Sequence, residues 1–186
     1  MDDTARASAR AGALASGDEA AFRAFVDQQA TPVLRICYRI LGRLEEAEDA
    51  AQETFVLAYR ALSTFRGECS PDAWIARIAA RECWRRRSRG ARRLNVTIPL
   101  DDGIAASLID PADPAREALA AERTEAVRNA VAALPEPYRE VVVLRYYGEL
   151  SVAAIASATQ RPEGTVKAQL HRGLERLRLR LWKAAS

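Results

Sequence analysis

The chain has 186 residues, room for one ordinary domain or two small ones, and a net charge of only +3. Hydrophobic residues at 49% and charged residues at 28% exclude a wholly disordered chain. No apolar run approaches the roughly 20 residues that cross a bilayer, and residues 1–17 lack the apolar centre of a signal peptide. The chain therefore reads as cytoplasmic, without membrane insertion, and with a mobile N-terminal tail over 1–17. Abundant alanine, leucine, arginine and glutamate favour helix over sheet.

The first predicted helix runs over Asp18–Gln29, with Phe22, Phe25 and Val26 on one face at helical spacing. Thr31-Pro32 reads as a fresh start, an N-cap followed by proline, for a helix carrying Val33, Ile36, Cys37 and Ile40 and ending near Gly42. A third helix extends from about Leu44 to Leu62 and buries Ala47, Ala51, Phe55 and Ala58. After a loop over Thr64–Cys69, Ser70-Pro71-Asp72 caps a helix holding Trp74, Ile75, Ile78 and Ala79. Trp74 reads there as a core residue. Pro99, Asp101-Asp102-Gly103, Asp110-Pro111 and Asp113-Pro114 break all periodicity, which marks 94–114 as a linker between two helical domains, 18–93 and 115–186. A helix from about Ala115 to Ala133 and another from Val141 to Tyr147 open the second domain.

Charge is segregated along this order. Glu45–Glu53 carries five acids and no base, and Arg81–Arg93 seven arginines against one glutamate. Residues 94–115 carry four aspartates and no base, and Arg161–Lys183 seven bases against two glutamates. Two separate basic blocks give two candidate nucleic-acid surfaces. Cys37, Cys69 and Cys83 are odd in number and far apart, which supports neither a zinc site nor a disulfide framework; they read as small core residues. The lone His171 supplies no set of metal ligands, so no metal is expected.

Leu150–Trp182 is the most informative stretch. Ser151 caps a short helix with Ile155 and Ala156, Gln160-Arg161-Pro162 turns, and Glu163-Gly164-Thr165 opens a long helix with Val166, Leu170, Leu174 and Leu177 inward. This spacing fits a DNA-binding helix-turn-helix. The outward face presents Thr165, Lys167, Ala168, Gln169, His171, Arg172 and Arg176, groups that reach base edges and phosphates. An ordinary amphipathic helix with a solvated basic face is the competing reading. Gln160 sits where a left-handed backbone is needed, at a cost of about 1 kcal/mol relative to glycine.

Ala47-Glu48-Asp49-Ala50-Ala51-Gln52-Glu53-Thr54-Phe55, then Phe65 and Trp74-Ile75-Ala76-Arg77-Ile78-Ala79, resembles region 2 of the sigma-70 family. Leu134-Pro135 to Leu144-Arg145, with Ile155-Ala156 and Pro162-Glu163-Gly164-Thr165-Val166-Lys167, resembles region 4. Together they are similar to the extracytoplasmic-function (ECF) group, over about 18–93 and 115–182. The resemblance implies an all-α protein of two small domains joined by a flexible acidic linker. It implies an alternative sigma factor that binds core RNA polymerase and directs initiation at promoter DNA through −10 and −35 elements.

By the same resemblance Asp49, Gln52 and Glu53 dock on the polymerase clamp. Phe65, Arg66, Gly67 and Glu68 cradle an extruded base of the −10 element, and Arg81, Arg85, Arg86 and Arg89, with Arg92 and Arg93 beyond them, lie along its DNA. Arg145, Gly164, Thr165, Lys167, Ala168, His171 and Arg172 face the −35 element. Arg81 stands where relatives often carry asparagine, and Ala168-Gln169 where they often carry serine and arginine, which bears on base preference. An anti-sigma factor is the further partner implied; no cofactor, small-molecule substrate or catalysis is. Two other readings compete: a stand-alone helix-turn-helix regulator that dimerises on a palindrome, and an interaction protein that titrates a regulator without touching DNA.

Overall fold

The computed structural model describes residues 12–14, 18–93 and 114–185, and their side chains except at 90–93, 114–118 and 184–185. No strand occurs among the described residues, and none of their helices is long and apolar enough to cross a membrane. The region read as a linker, 94–114, lies outside them except for Pro114, which already begins a helix, and most of the tail over 1–17 lies outside them too. Within that tail residues 12–14 are helical and Leu14 is buried.

Helix α1 spans Glu19–Leu41 without a break. Asp18 caps it, its carboxylate accepting from the Ala20 amide at 3.0 Å, and Gly42 ends it in a left-handed conformation with its N–H donating to the Tyr38 carbonyl. The restart expected at Thr31-Pro32 does not occur, because Pro32 lies inside the helix. An interior proline costs about 3 kcal/mol. One buried face continues across it through Phe25, Gln29, Val33, Ile36 and Ile40, and that burial offsets the cost. The Gln29 amide donates to Asp72 at 2.8 Å, which ties this face to a neighbouring helix start.

Helix α2, Leu44–Ala61, places Glu45 and Glu46 in its first turn, where the helix dipole favours them. Its buried face is mostly alanine (Ala47, Ala50, Ala51 and Ala58), so it lies close against α1. A 3-10 turn at Leu62–Thr64 follows. Helix α3, Pro71–Arg93, is capped by Ser70, whose hydroxyl accepts from the Ala73 amide. Its Ile75, Ala79 and Cys83 complete the interior of the first three-helix group. Cys37 and Cys83 are buried there as expected, while Cys69 is half-buried. A hydrogen bond with Cys37, and then burial, push the Cys83 thiol up, so it stays protonated.

Helices α4 (Pro114–Ala132), α5 (Tyr138–Tyr146), α6 (Val152–Thr159) and α7 (Glu163–Ala185) form the second group. Leu134, Val141, Val143, Leu144, Ile155 and Val166 are among its fully buried residues, and α7 packs against the other three helices. Helix α3 also lies against α5 and α6, which brings the two groups into contact.

Candidate nucleic-acid interface

The turn between α6 and α7 is built as its sequence requires. The Ser151 hydroxyl accepts from the Ala154 amide at 3.1 Å. Gln160 adopts φ 55° and ψ 42°, the left-handed conformation expected of it, and the Arg161 N–H donates to the Ala156 carbonyl. Val166 and Leu170 then point inward, leaving Gly164, Thr165, Lys167, Ala168, His171 and Arg172 exposed along the first turns of α7. Gln169 is half-buried and accepts from Arg161, while Arg176 stacks over the Tyr138 ring at 4.7 Å. Arg145 is exposed but braces the preceding turn, donating to the Leu150 carbonyl at 2.8 Å. Gly173 was not legible as a site residue. It is buried where α7 crosses α5, with room for no side chain beside Val142.

On the first group, Asp49 and Gln52 are exposed and Glu53 half-buried on α2, at spacings that put all three on one side. The loop after α2 departs from expectation at one residue. Phe65 does not reach the surface; it is 5% exposed, with its ring 4.8 Å from Trp74. Burial of a large ring against another aromatic outweighs its display to solvent. Arg66, Gly67 and Glu68 are the loop's accessible residues.

The arginine run is partly spoken for. Glu82 has a side chain only 1% exposed and accepts from Arg85 twice at 2.6 Å and from Arg86 at 2.7 Å. Burial alone would raise this carboxyl, but the bonds and charges of the two guanidinium groups outweigh it and hold it below the usual carboxylate range. Arg86 also donates to the Asp49 carbonyl, so this pair faces the acidic helix. The signal for that arrangement lay in the one acid of the run, three and four residues before its partners. Arg89 is exposed; the side chains of Arg92 and Arg93 lie outside those described.

A second carboxylate joins the two groups. Glu140, 10% exposed, accepts from Arg77 at 3.0 Å and from Arg161 at 2.7 Å, with Arg81 at 3.6 Å. Burial pushes its carboxyl up, but Arg77, Arg161 and Arg81 together hold it below the ordinary range. Arg77 also donates to the Ala158 carbonyl at 2.7 Å, in the last turn of α6, where the helix dipole favours a cation. Nearby, the Ser157 hydroxyl donates to the Glu68 carbonyl and the Gln160 amide to the Glu68 carboxylate at 2.8 Å. Arg39 donates to the Tyr146 and Tyr147 carbonyls, and Arg87 to Asn129. Neither Arg77 nor Glu140 was a predicted site residue; partners 63 positions apart leave no local pattern. Among the described residues no cluster of histidine, cysteine or carboxylate side chains is placed to hold a metal.

Residues 25–93 match the family description Sigma-70 region 2, and residues 124–177 match Sigma-70, region 4. The chain is 33% identical over 170 residues to the ECF RNA polymerase sigma factor SigW of Bacillus subtilis, covering 89% of this chain and 91% of that protein. It is 32% identical over 174 residues to the ECF RNA polymerase sigma factor SigL of Mycobacterium tuberculosis, covering 93% and 96%. Among solved structures, CnrH in complex with the cytosolic domain of CnrY superposes with a TM-score of 0.63 at 21% identity, covering 97% of this chain and 99% of that one. The sigma factor RpoE in complex with the anti-sigma factor NepR, from Bartonella quintana, gives 0.56 at 19% identity, covering 86% and 96%. These two show a shared fold.

Proposed function

The chain belongs to the ECF group of the sigma-70 family, and from that premise we propose how its residues divide the work of an alternative sigma factor. Residues 18–93 form the part that docks on core RNA polymerase and engages the −10 element, residues 115–186 the part that engages the −35 element, and 94–114 the connection between them. The observation that carries this division is the exposed face of α7, set at the correct turn geometry behind a left-handed Gln160.

Asp49, Gln52 and Glu53 are the docking residues for core polymerase. The carboxylates of Asp49 and Glu53 and the amide of Gln52 share one side of α2, and Asp49 and Gln52 are exposed. Arg66, Gly67 and Glu68 form the accessible part of the loop that receives an unpaired base, a task suited to a basic, open groove. Phe65 supports that loop from within instead of stacking on DNA. Arg81 and Arg89 serve the −10 DNA, and Arg85 and Arg86 join them only if they leave Glu82. On α7, Thr165, Lys167, Ala168, His171 and Arg172 lie along the major groove, with Gly164 allowing close approach of the helix start to a phosphate. Arg145 contributes from the preceding turn.

The protein performs no chemistry of its own in this scheme and works in the cytoplasm; the polymerase forms the bonds. Its partners are core RNA polymerase, promoter DNA and an anti-sigma factor. The last is supported by the relative RpoE, whose structure was solved with one. Co-elution of the purified chain with core polymerase tests the scheme, with Glu53→Arg as the comparison. Co-elution abolished by the charge reversal is expected. A folded chain that never co-elutes would favour a stand-alone DNA-binding regulator.

A further inference from the structure

Resting on the reading of this chain as a sigma factor, we propose that Glu140 is an internal stand-in for a DNA phosphate. Its carboxylate fills an anion site made by Arg77 and Arg81 and thereby holds the two helical groups closed.

Two promoter elements named for positions −10 and −35 are about 25 base pairs apart, or about 85 Å along a duplex at the ordinary rise. In the structure the loop assigned to the first element and the turn preceding the reader of the second share hydrogen bonds, Gln160 to Glu68 at 2.8 Å and Ser157 to Glu68. A chain engaging both elements cannot keep those bonds. The chain between the groups permits separation: residues 94–113 span at most about 70 Å when extended. The arrangement seen is therefore a closed form, which a chain engaged on both elements has left.

Arg77 and Arg81 lie on α3, the helix that continues into the arginine run, one and two turns before Arg85. A guanidinium offers a planar fork of donors that fits a carboxylate or a phosphate equally well. Glu140 arrives at this fork from α5 with its charge intact, and Arg161 of its own group holds it in place at 2.7 Å. On opening, the Glu140–Arg161 pair stays within the second group, while Arg77 and Arg81 are released with no carboxylate between them. They then extend the basic surface of α3 by about two turns, available to the sugar–phosphate backbone.

Asp49 and Gln52 remain exposed, as does the reading face of α7. Opening therefore adds Arg77 and Arg81 to surfaces that are already accessible. Arg77 becomes a phosphate-contacting residue, and Glu140 a positioning residue that acts through it.

Small-angle X-ray scattering on the full chain, wild type and Glu140→Gln, reads the closure directly. A compact chain of this length has a radius of gyration of about 16 Å, and separated groups should exceed about 20 Å. The Gln variant should open while keeping its helical circular dichroism. It should also bind a fluorescent mixed-sequence single-stranded 20-mer about tenfold tighter, as expected if roughly one wild-type molecule in ten is open. Arg77→Gln, a change in the other group, should open the chain too, with a smaller gain in DNA affinity, since it removes one of the two arginines of the anion site. If Glu140→Gln does not fold, Arg77→Gln carries the test of closure. Folded variants as compact as wild type would overturn the latch, and an opened Glu140→Gln chain with unchanged DNA affinity would overturn the phosphate mimicry. Core-polymerase co-elution, run alongside, reports separately on the sigma-factor reading.

Discussion

Replacing Gly173 by alanine sets two known effects against each other at the crossing that aims the reading helix. Alanine is favoured over glycine inside a helix by about 1 kcal/mol. At this position a Cβ would fall 2.9 Å from Val142 Cγ2 and 3.5 Å from Tyr138 Cβ. Val142 is 3% exposed, and its branched side chain has little rotamer freedom on a helix. Inserting a methyl group against such a neighbour costs about 1–3 kcal/mol, and the rigidity of Val142 places the cost toward the upper end. Gly173→Ala should therefore be less stable than wild type by about 1–2 kcal/mol, a fall in melting temperature of roughly 2–8 °C for a chain of this size. Urea unfolding followed by helical circular dichroism measures it, with Val142→Ala and the double variant completing a cycle. Val142→Ala alone removes buried methyl groups and destabilises, but in the double variant the two changes should compensate by about 1 kcal/mol. A Gly173→Ala chain that gains stability, as helix propensity alone dictates, would refute the steric reasoning and with it the role of Gly173 in setting the crossing of α5 and α7.

On the reading face, Lys167→Ala and Arg172→Ala should each weaken binding to the upstream promoter element by about 1–3 kcal/mol; anisotropy titrations showing both unchanged would remove α7 from the interface. Gln160→Gly relieves a left-handed side chain and should stabilise the chain by about 0.5–1 kcal/mol, measured by the same urea series; a destabilised variant would mean that the Glu68 bond outweighs the strain. Glu82 and Glu140 are both held below the carboxylate range by their arginines, against burial that would raise them. Groups with a depressed folded value contribute stability that is complete above the unfolded-chain value, near pH 4.3, and is lost as pH falls through the lower folded values. Urea midpoints should accordingly fall steeply below about pH 4.3 in wild type and less steeply in Glu82→Gln, while parallel pH dependence in the two would show that Glu82 carries none of this linkage.

What could be read without coordinates was whatever the chain encodes within a turn or two of itself. The face of α7, the cap at Ser151 and the left-handed Gln160 are local, and they appear as expected except at Gln169, which is half-buried. Pro32 shows where local reading goes wrong: Thr31-Pro32 is a sound start signal, but a buried face continuous from Phe25 to Ile40 overrides it. Phe65 was assigned by its place in a family motif, and packing against Trp74 decided its position instead. Glu82 was visible as the one acid in the arginine run, yet its burial was not, because burial depends on α2 lying alongside α3. The bonds from Arg77 to Glu140 and from Gln160 to Glu68 join residues far apart in sequence, and no periodicity announces them.

Those distant bonds also explain why a net charge of +3 says little about how the chain meets nucleic acid. Its arginines are divided between bases held by internal acceptors and bases left on the surface, and the division depends on conformation. The holding contacts are unequal. Arg39 and Glu149 are 38% and 63% exposed at 3.5 Å, a geometry in which water and salt leave at most about 1 kcal/mol. Arg35 with Glu149 is longer, at 3.8 Å, and weaker still. Glu140 differs in kind: it is nearly enclosed, and its charge is matched by three guanidinium groups. Breaking one partner of so buried a pair costs more than breaking an exposed one, because the other charge is left poorly solvated. Salt should therefore loosen the Arg39 edge of the interface first, within the reach of ordinary screening, while the Glu140 contact persists until another anion takes its place. A DNA backbone is such an anion, and it arrives with the counterion release that drives phosphate binding.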